Sequence, residues 1–214
     1  MSQGVLFEYF QDYEVTRKKL FCRLTDPERA EHSRDILSRP WMDLQICCYY
    51  DLAEDGLPDA SIPIYKNCLS LWKIAAEKVL DDAWHNTIRK QEILFRPLDS
   101  VLLELQGLSE WADEPEVING SLLYLLTNKD RAYGAIYMAM PDVLKQIGRE
   151  LGKDFYILPS SIHECLILPD TDLMDEEGLN SLVRMVNSDC VQEKDVLADH
   201  VYYYDRLLQH VRSC

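Results

Sequence analysis

The sequence predicts an α+β fold, a mostly antiparallel sheet built from recurring strand–strand–helix units, with an N-terminal helix. Short apolar runs occur in pairs joined by polar turns, and a stripe of apolar residues at helical spacing follows each pair. Strands joined by short turns pair antiparallel, because parallel neighbours need a long crossover. The 214 residues are 47% hydrophobic. We expect one compact domain over residues 1–214, divisible into lobes at 1–107 and 108–214.

The first unit lies in the N-terminal half. Apolar residues with interposed basic ones predict an amphipathic helix over residues 8–25. The apolar and aromatic run at 42–52 predicts a strand, and a turn then leads to a second strand at 61–65. Asn67 is suited to cap the following helix, and residues 83–107 are expected to pack on the same core. The buried stripe of that helix is Leu69, Trp72, Ala76 and Val79.

The second and third units occupy the C-terminal half. Pro141 suits the first turn of a helix, and Gly152 suits its end. The aromatic segment at 200–206 is interpreted as an edge strand or a frayed end. The predicted elements are a strand at 122–127, a turn at 128–131, a strand at 133–138, a helix at 141–151, a strand at 155–158, a Pro-Ser-Ser turn at 159–161, a strand at 163–168 and a helix at 175–187.

Acidic side chains dominate the charge. There are 37 acidic and 22 basic residues, a net charge of −15. Because neutralising phosphate needs clustered Lys and Arg, this charge disfavours nucleic acid and anionic membranes as partners. The two dense acidic patches are Glu110, Asp113, Glu114 and Glu116, and Asp170, Asp172, Asp175, Glu176 and Glu177. We interpret them as a solvated loop and a helix start; the alternative, an acidic mimic of nucleic acid, requires both patches on one face.

The N-terminus and the cysteines indicate a cytoplasmic protein. The first residues lack the basic and apolar regions of a signal peptide, and the apolar runs are too short to span a bilayer, so no membrane association is expected. The seven cysteines are odd in number and scattered, without a Cys-x-x-Cys pair. Reduced thiols are therefore expected.

Residues 122–169, LLYLLTNKDRAYGAIYMAMPDVLKQIGRELGKDFYILPSSIHECLILP, carry the features of a known family. These features are Leu126-Thr127-Asn128, Gly134-Ala135, Pro141-Asp142-Val143-Leu144 and Phe155–Glu164. In them the chain resembles a bacterial family named domain of unknown function 5688. The resemblance extends upstream through Asp12–Glu14, Asp43-Leu44 and Asn86-Thr87, where Ile88 departs from the proline of the family pattern. The resemblance implies the same arrangement of strands and helices and a bacterial cytoplasmic protein. It implies no enzymatic activity, because none is assigned to the family.

The hairpin predicted at 154–169 holds the residues best suited to chemistry. On an extended strand Ser161, His163 and Cys165 share one face, and a histidine beside a thiol can activate it as a nucleophile. Residues two apart are separated by roughly 6.5–7 Å along a strand, beyond hydrogen-bond reach. Two interpretations stay open at this point: a structural hairpin whose serines satisfy backbone groups, and a hydrolase or thiol-dependent enzyme.

No sequence pattern specifies a metal or a cofactor. The histidines at 32, 85, 163, 200 and 210 lack metal-ligand spacing, and the 8 glycines form no phosphate-binding loop. We therefore expect neither a metal nor a cofactor.

Trp111, within the acidic segment SEWADEPE, is the first candidate binding residue because an exposed aromatic ring suits a partner contact. Glu164, on the opposite face of its strand from His163, is the second. A patterned core, an acidic surface and no complete catalytic site favour a non-enzymatic interaction or regulatory module with a protein partner. No pattern specifies an oligomeric state.

Overall fold

The chain forms two compact units, residues 1–91 and 92–214. The computed structural model describes residues 10, 12–29, 34–57, 60–90, 92–114, 118, 120–171 and 173–214. Among the residues singled out above, His32, Glu116 and Asp172 lie outside this described part, as do residues 8, 9 and 11 of the predicted N-terminal helix. The division between units falls earlier in the chain than the lobe boundary expected at 107 and 108.

The first unit is a four-stranded antiparallel sheet in which β3 pairs with each of the other strands. A helix, α3, lies against β1, where the backbone N–H of Cys22 donates to Thr87 Oγ1 at 2.8 Å. The elements are α1 Tyr13–Thr16 with a 3-10 turn at Arg17–Lys19, β1 Leu20–Thr25, β2 Ser38–Trp41, β3 Leu44–Asp51, a 3-10 turn at Ala53–Asp55, β4 Ser61–Pro63, α2 Cys68–Trp72 and α3 Ala76–Lys90.

The structure confirms an N-terminal helix but makes it shorter than predicted. Helical structure ends at Lys19, and the remainder of the predicted helix is β1. Leu20 and Leu24 are four residues apart, a spacing that fits a helix and a strand alike, but the equally buried Cys22 between them reveals the alternation of a strand. The helix predicted after Asn67 is interrupted at Lys73, whose φ is 57°, and Asn67 makes no side-chain cap bond.

The second unit is a six-stranded antiparallel sheet with the strand order β10-β9-β7-β8-β6-β5. The elements are β5 Ile93–Pro97, α4 Leu98–Leu105, α5 Ser109–Ala112, β6 Tyr124–Asn128, a 3-10 helix at Gly134–Ala139, α6 Pro141–Leu151, β7 Phe155–Ser161, β8 Glu164–Pro169, α7 Glu176–Cys190, a 3-10 turn at Glu193–Asp195, β9 Tyr202–Asp205 and β10 His210–Ser213. The α+β class with antiparallel sheets is thus confirmed.

Successive side chains of β7 and β8 point to opposite faces of the sheet, and each face packs against apolar residues. One face packs against α7, where Leu158 contacts a buried cluster that includes Leu179 and Val183. The other face carries Cys165, whose thiol lies against the 3-10 helix. The same side receives α6, because Gly148 of that helix approaches the Tyr204 ring. The central strands β7 and β8 are therefore covered on both faces.

Two predicted strands of the second unit differ from the structure. Residues 133–138 were expected to form a strand, but Gly134–Ala139 is a 3-10 helix with all six residues buried. Because it is buried on every side, its apolar run has no periodicity that separates a strand from a helix. The aromatic segment at 200–206 contains β9, which lies between β7 and β10 and is not an edge strand. The helices predicted at 141–151 and 175–187 are confirmed as α6 and α7.

Gly134 allows the 3-10 helix to approach β6 closely. A Cβ atom at this position would lie 2.8 Å from Thr127 Cα and 2.9 Å from Asn128 N. Both are backbone atoms of a paired strand, so they cannot move aside without disturbing the sheet. Only glycine fits this approach.

We predict that Gly134→Ala lowers the free energy of unfolding by about 1–3 kcal/mol, because overpacking forces the backbone to shift. Chemical denaturation followed by circular dichroism measures the change. The matched control is Gly120→Ala, since a Cβ at Gly120 meets no atom within 4 Å. Equal stability of the two variants would contradict the close packing.

Candidate functional site

The hairpin that carries the candidate chemistry differs from its predicted form. Its turn is Ile162–His163, not Pro159-Ser160-Ser161, since Ser161 pairs with Glu164. The three predicted turn residues belong to β7, which has a register shift between Pro159 and Ser161. The expectation that Ser161, His163 and Cys165 share one strand face is therefore wrong: His163 is in the turn.

Both ring nitrogens of His163 face structural partners. Its Nδ1 accepts the backbone N–H of Tyr133 at 3.3 Å, and its Nε2 lies 3.9 Å from Asp195 Oδ1. Its carbonyl oxygen accepts the Gly134 N–H at 2.8 Å and the Thr127 hydroxyl at 2.9 Å. The residue thereby fastens the hairpin turn to β6 and the 3-10 helix.

Cys165 is enclosed in the core. Its side chain is fully buried, and its Sγ lies 3.4 Å from Met138 Sδ and 3.8 Å from the Ala135 carbonyl oxygen. Burial, and secondarily the charge of Glu164, raises the pKa of the Cys165 thiol well above its ordinary value. A neutral thiol without solvent contact is a core side chain, not a nucleophile.

The hairpin residues do not form a catalytic pair. Ser161 Oγ accepts the backbone N–H of His163 at 3.1 Å, which is a local turn contact. Activating a serine or cysteine requires a ring nitrogen within hydrogen-bond reach, and both nitrogens of His163 face other groups. Glu164 is half-buried beside Ser161. Among the described residues, no group of three or more His, Cys, Asp or Glu is placed to hold a metal ion.

Trp111 is one of four exposed large apolar residues in the segment that holds α4, α5 and the turn between them. We call the set Leu102, Leu105, Leu108 and Trp111 the α4–α5 apolar surface. Their exposed fractions are 45%, 65%, 41% and 55%, and each follows the last by three residues. The expectation that residues 83–107 pack on the same core as the preceding helix is wrong, because residues from Glu92 onward belong to the second unit. Val101 is buried there, but Leu102 and Leu105 are exposed, and so is Ile88 of the first unit, at 45%.

Acidic residues surround the α4–α5 apolar surface. Residues 98–114 contain five acids and no basic residue. Arg96 of β5 pairs with two of them: its Nη1 lies 2.6 Å from Glu104 Oε1, and its Nη2 lies 3.2 Å from Asp113 Oδ1. These ion pairs tie both helices to the sheet, and the remaining carboxylates leave the surface negative.

A pocket of about 410 Å³ lies between α7 and the sheet. We call it the α7 pocket. Its described lining is apolar except for Ser160 and Asn187. The lining residues are Leu122, Leu123, Leu158, Pro159, Ser160, Leu166, Leu168, Leu173, Met174, Leu179, Leu182, Val183, Val186 and Asn187.

The α7 pocket is not predicted from the sequence, although the apolar pattern of one of its walls is visible there. The stripe of apolar residues at helical spacing that predicts α7 indicates a buried face, and much of that stripe lines the pocket. Leu173, which is 71% exposed, and Leu122, which is 61% exposed, lie in loops without periodicity. Only the fold brings these loops to the same helix.

The native protein is predicted to alkylate at Cys190 and not at Cys165 when treated with iodoacetamide near pH 8. Cys190 is exposed and Cys165 is enclosed, and only an accessible thiolate reacts. Peptide mapping by mass spectrometry identifies the labelled sites. Denaturant should expose Cys165, and Cys190→Ser supplies the control. Native labelling of Cys165 as fast as Cys190 would restore the thiol-enzyme hypothesis.

Comparison with known proteins places the chain in a family without an assigned activity. None of the helices in the described part of the chain is long and apolar enough to cross a membrane. No curated protein and no solved structure matches the chain. The model of the family of unknown function DUF5688 matches residues 1–206, so the resemblance inferred from the hairpin and the helix before it is confirmed, and the chain belongs to that family.

Proposed function

We propose that this protein is a non-enzymatic binding module that recognises a basic amphipathic segment of a partner protein through the α4–α5 apolar surface. The observation that carries the proposal is the exposure of four large apolar side chains at three-residue spacing within an acidic segment. Solvent-exposed apolar clusters rimmed by charge are typical of protein interaction sites.

Trp111 supplies the main contact in this proposal. A tryptophan offers a large rigid area with few rotatable bonds, and such residues dominate the binding energy of many interfaces. Leu105 and Leu108 add exposed apolar area on either side of the Gln106–Gly107 turn that ends α4. An amphipathic partner helix presents apolar residues every three or four positions and so offers a continuous apolar face to these exposed side chains.

The charge of the α4–α5 segment selects the class of partner. Its five acids favour Lys and Arg at the rim of the partner. A second copy of this chain would bring the same acids and a net charge of −15 against them, which opposes self-association. The same negative charge opposes binding of anionic lipid and of nucleic acid.

The hairpin contacts support a binding function over a catalytic one. The thiol is enclosed, and both ring nitrogens of His163 face structural groups. A hydrolase built on Ser161, His163 and Cys165 would need a rearrangement that brings a ring nitrogen of His163 within hydrogen-bond reach of the hydroxyl or the thiol and opens the core around Cys165.

Selection from a displayed library of random peptides tests the proposal without knowledge of the partner. Peptides enriched on the wild-type protein are predicted to carry net positive charge and apolar residues at helical spacing. Trp111→Ala should weaken their binding by about tenfold or more, measured by fluorescence anisotropy. Added salt should weaken binding further, since the rim charges are exposed.

The matched control is Leu207→Ala, which removes a leucine that is 81% exposed away from this surface. It should leave peptide affinity unchanged. Enrichment of acidic peptides, equal binding to Trp111→Ala, or no enrichment at all would overturn the proposal. Thermal melting of both variants verifies that each is folded.

A further inference from the structure

The geometry points to a second binding site, separate from the α4–α5 apolar surface: the α7 pocket takes a small amphiphile with an apolar chain and an uncharged or cationic head. Its volume of about 410 Å³ lies within the usual range for small-molecule sites, about 300–1,000 Å³. The walls of the pocket, its polar groups and the charge at its mouth each favour such a ligand.

Rigid elements form the two main walls. The sheet contributes Leu158, Leu166 and Leu168, which are held by the pairing of β7 with β8. The opposite wall is α7, a helix of 15 residues whose Asp175 cap accepts the Gly178 N–H at 2.9 Å. A pocket between a paired sheet and a capped helix is largely formed before a ligand arrives.

The polar groups of the walls are few and partly engaged. Asn187 is buried, and its Nδ2 donates at 2.9 Å to the Ala198 carbonyl oxygen and at 2.9 Å to Asp199 Oδ1. Those two acceptors fix the orientation of the amide and turn its donor group away from solvent. None of the described lining residues is charged. An apolar chain therefore fits the interior, and a charged group does not.

The residues beside the mouth determine the head group. Leu173 and Met174 line the pocket while remaining 71% and 46% exposed, and Asp175, Glu176 and Glu177 follow directly. Two arginines pair with these carboxylates: Arg212 Nη2 is hydrogen-bonded to Glu176 Oε1 at 2.5 Å, and Arg184 Nη2 lies 4.0 Å from Glu177 Oε1. An anionic head would meet net negative charge there, whereas a neutral or cationic head would not.

Calorimetric titration with three dodecyl amphiphiles below their micelle concentrations tests the inference. Dodecyltrimethylammonium and dodecyl maltoside should bind the full chain, and dodecanoate should bind about tenfold more weakly or not at all. Shortening the cationic chain to decyl and octyl should weaken binding by about fourfold per methylene. Equal affinity for all three amphiphiles, or no binding of any of them, would overturn the inference.

Variants on opposite walls locate the site. Val186→Gln on α7 and Ser160→Leu on β7 should each weaken dodecyltrimethylammonium binding about tenfold. Met185→Gln is the control, because Met185 is 55% exposed on the same helix and does not line the pocket. Unchanged affinity in both wall variants would overturn the inference, and melting curves check that each is folded.

Trp111→Ala distinguishes this inference from the proposed protein-binding function. It should leave amphiphile affinity unchanged while it weakens peptide binding. Parallel loss of both affinities would contradict two separate sites. Loss of peptide binding alone leaves the α7 pocket supported, and failure of the amphiphiles to bind leaves the peptide proposal standing.

Discussion

The close approach of the buried 3-10 helix to β6 is the constraint on which the second unit depends. Gly134 allows the backbone of one element to lie against the backbone of the other, and a Cβ would collide with Thr127 and Asn128. The same approach lets the His163 carbonyl oxygen receive both the Gly134 N–H and the Thr127 hydroxyl. The turn of the β7–β8 hairpin is thereby fixed to the strand beside it.

This constraint also decides what the hairpin residues do. With the 3-10 helix seated on the sheet, Cys165 lies against Ala135 and Met138 in the core. The ring of His163 is directed to Tyr133 and Asp195. Side chains that suggest chemistry in the sequence thus serve as packing and fastening groups. Exposed apolar side chains lie elsewhere, in the α4–α5 segment and beside α7.

Elements with local signals were predicted well from the sequence. Pro141 and Gly152 mark the ends of α6, and Gly152 adopts the left-handed conformation that ends the helix, with φ of 66°. The cap at Asp175 likewise marks α7. Such signals depend on a few neighbouring residues and need no tertiary contact, which is why the sequence reveals them.

Features decided by tertiary contacts were not predictable. Pro-Ser-Ser is typical of a turn, but here it lies within β7. Strand β9 pairs only with Phe155–Ile157 of β7, so no β9 residue lies opposite Pro159. The N–H that proline lacks is therefore not needed for a hydrogen bond with β9. The 3-10 helix is not evident in the sequence because its six residues are all buried and show no apolar–polar periodicity. At the candidate sites, Trp111 was identified from its acidic neighbours, whereas the α7 pocket depends on loops that the fold brings together.

Hydrogen–deuterium exchange with a library-selected peptide bound tests the central claim most directly, since it reports on the binding surface and on the hairpin in one measurement. If the hairpin is structural and α4–α5 is the contact surface, protection rises within residues 98–114 and is unchanged within 159–165. New protection at 159–165 without a change at 98–114 would contradict the account.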